Sequence, residues 1–110
     1  MMGLAMSRAG AALLRALIAR AQEEADRVLL VDIRSTDWHS LTFAGERHSI
    51  TLRVAGPEGA RVLARVTDGL EDHEFTLAGQ IVADITVIDT VSTMADGSAT
   101  TTIEALTVAE

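Results

Sequence analysis

The chain has 110 residues, 48% of them hydrophobic but only 3% aromatic, and a formal charge of −7. That is enough apolar surface for one folded domain with an aliphatic core, and it argues against a disordered chain. The chain has no Cys, which excludes disulfides, thiolate metal sites and a Cys nucleophile.

Charge is sorted along the chain. Residues 1–53 hold seven Arg and six acids; residues 54–110 hold two Arg and ten acids. Nucleic-acid binding needs a basic stripe facing the phosphates, so no nucleic-acid partner is expected. The opening "MMGLAMSRAGAALLRALIAR" is interrupted by Arg8, Arg15 and Arg20. It therefore makes neither a secretory h-region nor a membrane span of about 20 apolar residues. It runs on into "AQEEADR" and reads as a helix of a cytoplasmic protein with no membrane partner.

That helix is expected over residues 7–27. Ser7 suits its N-cap, and Leu14, Leu17, Ile18, Ala21, Ala25 and Val28 form one apolar stripe. Its acids, Glu23 and Asp26 among them, fall late, where the helix dipole disfavours them. Residues 28–43 read as a long strand with an irregularity at Ser35–Asp37. "AGER" supplies a turn at Gly45-Glu46, and "HSITLRV" alternates as the returning strand, so a hairpin covers about 28–55. Pro57 and Glu58 open a second helix that Gly69 closes, over about 57–69. Three strands are expected within 73–109: "HEFTLAG", "QIVADITVIDTVST" and "TTTIEALTV", the last two joined at Asp96-Gly97. The expected architecture is a single α+β domain, residues 1–110, ordered α-β-β-α-β-β-β. Two helices lie on one face of a largely antiparallel five-stranded sheet.

The segment "DWHSLTFAGERH", residues 37–48, holds the only Trp and two of the three His. A turn at Gly45-Glu46 pairs Phe43 with His48, His39 with Leu52 and Trp38 with Arg53. His39, His48, Ile50, Leu52 and Val54 then face the helices, and Trp38, Ser49, Thr51 and Arg53 face away. His39 and His48 would stand four residues apart along the ladder, about 13 Å, too far to share a metal. Trp38 either closes the core beyond a bulge or pairs with Arg53 as a cation–π contact on an interface.

A two-residue turn at Asp96-Gly97 places Asp89 opposite Glu104, with the distal half of the hairpin in water. The other side of that hairpin would carry Val82, Thr86, Ile88, Thr90, Ile103, Ala105 and Thr107. With Trp38 it makes a mixed Thr/aliphatic surface suited to self-association. There is no GxGxxG, P-loop, GxSxG or HExxH, so no cofactor and no metal are expected.

The element order resembles that of roadblock-type adaptor domains, which implies a dimerising platform. A helix against an antiparallel sheet is also similar to hotdog-fold thioesterases, which implies a dimeric enzyme. Two functions are therefore carried forward. The first is a non-enzymatic homodimerising or protein-interaction module with Trp38, Arg53, Thr86, Ile88 and Ile103 on its open sheet face. The second is a small ligand-binding protein or hotdog-like enzyme with a pocket between helix and sheet, using His39, His48 or His73 with Asp37.

Overall fold

A computed structural model describes residues 6–110, with the side chains of residues 90–92 outside the described set. Thr90 of the expected outer face thus lies outside the described residues. Helix α1 spans Arg8–Ala19, and the Ser7 hydroxyl caps it by accepting the Gly10 N–H at 3.0 Å. Leu13, Leu14 and Leu17 bury its inner face. The helix ends earlier than the apolar stripe predicts. Gln22 takes a left-handed φ of 57°, and Gln22–Arg27 continues as a 3-10 segment.

Long-range partners favour that break. The Arg20 guanidinium donates to the carbonyl oxygens of Val66 and Asp68, at the end of the second helix. The misplaced acids find cations there too. Glu24 meets Arg61 at 3.0 Å and Glu23 meets Arg65 at 2.9 Å, both arginines belonging to helix α2, Gly59–Thr67. These guanidinium contacts hold both carboxyls below the usual carboxylate range. What looks like poor dipole placement in a long helix is a bridge between two short elements.

Among the described residues the sheet has four strands: β1 Val28–His39, β2 Ala44–Val54, β3 Gln80–Thr93 and β4 Ala99–Ala109. Every pairing is antiparallel, in the order β1-β2-β4-β3. The fifth strand expected at "HEFTLAG" does not form. Residues 73–79 are irregular apart from a single bridge, Leu77 to Gln80. Phe75 and Leu77 are used instead as plugs against the core.

The hairpin turn between β1 and β2 is Ser40–Phe43, not Gly45-Glu46. The Ser40 side chain accepts the Phe43 N–H, and the Ser40 N–H donates to the Phe43 carbonyl. Trp38 therefore pairs with Gly45, and His48 pairs with Ser35. Gly45 lies inside β2 because of a close approach: a Cβ there would overlap the Thr107 carbonyl of β4. The irregularity of β1 falls between Leu30 and Asp32 rather than at Ser35–Asp37.

The turn between β3 and β4 is also longer than two residues. Met94 and Ser98 close it through backbone bonds, and the Asp96 carboxylate accepts both the N–H and the hydroxyl of Ser98. Those bonds, foremost the hydroxyl's, lower the Asp96 pKa. β3 has three irregularities, at Val82/Asp84, Val87/Asp89 and Asp89/Ser92. They shift the pairing so that Glu104 meets Thr86 and Asp89 meets Thr102, which separates the expected carboxylate pair. Thr93–Asp96 of the hairpin tip are exposed, but the turn is tied to α2. Gly59, at the start of α2, donates to the Gly97 carbonyl at 2.8 Å, and a Cβ on Gly59 would meet that oxygen at the same distance.

Both helices pack on one face of the sheet. Leu13, Leu17, Val62, Leu63 and Val66 meet Ile33, Ile50, Leu52, Val54, Ile85 and Ile103. Most of these side chains are fully enclosed, and burying each contributes about 1.5–3 kcal/mol before the entropy of ordering is subtracted. No helix among the described residues is long and apolar enough to cross a membrane.

Candidate functional site

Among the described residues, no helix lies over the second face of the sheet. Opposed residues in an antiparallel pair share a face, so the register sorts this surface into rows. At one end Trp38, Gly45, Val108 and Ile81 follow one another across β1, β2, β4 and β3. The next row is Thr36, Arg47, Leu106 and Asp84, and the third is Arg34, Ser49, Glu104 and Thr86. Asp32, Thr51, Thr102 and Asp89 follow.

The first rows form an apolar cleft. Trp38, Phe43, Ile81, Ala83, Leu106 and Val108 line a hollow of about 270 Å³. Leu106 and Val108 lie at its floor, largely covered, while Phe43 and Ile81 stay about half exposed. A β-strand normally buries alternate residues. In β4 four consecutive residues, Ala105–Val108, are buried. The sequence signal is the pair of apolar residues, Leu106 and Val108, in "EALTV" on the side away from the core-facing Ala105 and Thr107.

Beside the cleft, Arg34 and Arg47 stand on adjacent strands with the hydroxyls of Thr36 and Ser49, and Glu104 stands across from them, around a hollow of about 270 Å³. Arg34 keeps a contact with Asp32 at 3.2 Å yet remains mostly exposed.

The expected surface residues are scattered by the true register. Trp38 is at one end of the open face and Arg53 eight residues further along β2 from Trp38's partner Gly45. That is roughly 26 Å, so no cation–π pair joins them. Arg53 reaches Ser98 in the β3–β4 turn instead, at 3.4 Å. Thr86 does lie on the open face. Ile88 is exposed on β3 at an irregularity between ladder partners. Ile103 does not belong to the surface: it pairs with Ile50 and Val87 inside the core and is fully buried. Bulges move the β3–β4 pairing by an odd number over Asp84–Val87, which puts Thr86 and Ile103 on opposite faces of the sheet.

The histidines do not converge. His48 is buried beneath α1. One ring nitrogen, Nδ1, lies 2.7 Å from the Ser35 hydroxyl and the other, Nε2, lies 2.8 Å from the Thr107 hydroxyl. Burial lowers its pKa, against a smaller opposing pull from Glu46. His39 is exposed four rungs away along β1, and Asp37 is exposed between them. His73 is exposed after α2, edge-on to Phe75 at 4.6 Å. The groove between α1 and the start of β3 is lined by Arg8, Ala9, Ala12, Arg15, Ala78 and Gln80, none of them from the expected pocket. Among the described residues no three His, Asp or Glu side chains gather as a metal site would require.

No protein family, curated protein or solved structure matches the chain.

Proposed function

We propose that this protein is a non-enzymatic association module, and that the open face of its sheet is the surface that meets another protein. The observation that carries this reading is the apolar cleft of Trp38, Phe43, Ile81, Leu106 and Val108 on a face no helix covers. An apolar hollow rimmed by charged residues is the usual make-up of an interface centre, and Trp is the residue most enriched there. The reading as an enzyme lacks a comparable support. The one enclosed histidine has both nitrogens occupied by hydroxyls, and the remaining candidates point to different parts of the surface.

The test is the mass in solution. Light scattering behind a sizing column, run over a concentration series, should give a dimer for the native chain. Trp38→Ala with Ile81→Asp should give a folded monomer, with unchanged circular dichroism. A double variant that still dimerises would refute the assignment of this face, and a native monomer at every concentration would refute self-association as its role.

A further inference from the structure

We infer that the partner on the open face is a second copy of this chain, laid face to face about a two-fold axis parallel to the strands. This rests on the reading above and specifies its geometry. Charge is divided across the face. The β1–β2 half carries Arg34, Arg47 and Arg53, with one acid, Asp32, already held by Arg34. The β3–β4 half carries Asp84, Asp89 and Glu104 and no cation. One face thus holds both members of a complementary pair, side by side.

Two sheets packed face to face in the aligned mode keep their strands within about 30° of each other. Two in-plane two-fold axes satisfy that mode. An axis across the strands sets β1 over β1 and β2 over β2 of the other copy. Arginine then faces arginine, acid faces acid, and the Trp38–Ile81 row meets the far end of the sheet, near Leu29 and Arg53. An axis along the strands sets β1 over β3 and β2 over β4 of the other copy. Each row then meets itself reversed: the apolar row lies on the apolar row, and Arg34 and Arg47 come over the half that carries Asp84 and Glu104. Only the second arrangement satisfies both the apolar and the charge pattern.

The size sets the strength. Ten paired rungs of β2 and β4 at about 3.3 Å, and four strands about 4.8 Å apart, give a face of about 600 Å² per copy. Two copies bury about 1,200 Å², the lower edge of a specific interface, which fits a reversible dimer rather than a permanent one.

The experiment uses two charge-reversed full-length chains. One carries Arg34→Glu and Arg47→Glu, leaving both halves of its face acidic. The other carries Asp84→Arg and Glu104→Arg, leaving both halves largely basic. Sedimentation velocity should show each alone weakened in self-association by at least about tenfold. Mixed in equal amounts, they should form a heterodimer tighter than either homodimer, and salt should weaken it. Recovery on mixing also shows that both variants are folded. If the native chain dimerises and the reversed chains dimerise equally well alone, the two-fold arrangement is wrong while the association reading stands. If the native chain is monomeric at every concentration, the second-copy arrangement falls, while a face that meets a different protein does not fall with it. If each reversed chain is monomeric and the mixture stays monomeric, the charge pairing is refuted.

Discussion

The two faces of this sheet are made from the same four strands and follow different rules. On the helix side, Ile33, Ile50, Leu52, Val54 and Ile103 are nearly or fully enclosed, and the single polar ring, His48, is held by two hydroxyls. On the open side, apolar residues gather at the Trp38 end, Leu29 and Ile88 are exposed away from it, and the remainder is arginine, acid, serine and threonine. The first face secures the fold, and its exposed polar groups, Asp37 and His39, lie beyond the core at the hairpin end. The second contributes less to stability and keeps its side chains available. Substitutions should therefore separate the two, stability responding on one side and association on the other.

The sharpest contrast is Ile103→Ala against Ile81→Ala. Ile103 is fully buried, so its truncation should cost about 2–5 kcal/mol in chemical denaturation. Ile81 is half exposed, and its truncation should cost under about 1 kcal/mol in a dilute monomer. Equal losses would erase the distinction between the faces. Gly45→Ala comes next, because its Cβ has no room against the β4 backbone. A loss of about 1–3 kcal/mol is expected by the same measurement. An unperturbed midpoint would mean β2 and β4 do not approach as described.

A third effect is read by pH. His48 has a lowered pKa in the folded chain, set first by burial, and returns to an ordinary value, about 6.5, when unfolded. The unfolded chain therefore binds the proton more readily. Stability is complete above about pH 6.5 and declines as pH falls below it. Thermal unfolding between pH 7.5 and 5.5 should show that decline in the native chain and a flatter profile in His48→Asn. Identical slopes would remove His48 as the cause. The smallest effect belongs to the bridge between the 3-10 segment and α2. Arg61→Ala should lower the melting temperature slightly at low salt and not at 1 M salt, since exposed ion pairs are screened.

How much of this was legible in the residues differs between the hairpins. In β1–β2 the expected turn was misplaced, but pairing moved by an even number over Ile33–His39, so Trp38, Ser49, Thr51 and Arg53 still fell on the outer side. The four-rung gap between His39 and His48 survived as well, although each has a different partner. In β3–β4 the same kind of reasoning put Ile103 outside. Three irregularities and a turn built on Asp96 and Ser98 change the register step by step, by an odd number over Asp84–Val87, where Ile103 pairs. Composition carries no sign of such bulges. The apolar cleft was missed for a related reason, since it joins β1, the Phe43 turn and the ends of β3 and β4. Its members meet only once the strand order places β4 between β2 and β3. The two arginines of α2 and the acids of residues 23 and 24 show the reverse case: the residues were plain, and their partnership needed the break at Gln22.

The irregularities of β3 have a consequence for how copies could misassemble. Of the two rims of the sheet, β1 is regular from Asp32 to His39, whereas β3 is kinked at three places. A fibril built by adding strand to strand must join the trailing rim of each molecule to the leading rim of the next, and here one rim is a poor template. Two β1 rims could pair with each other, but that union leaves only kinked rims outward, and growth by this route ends at two molecules.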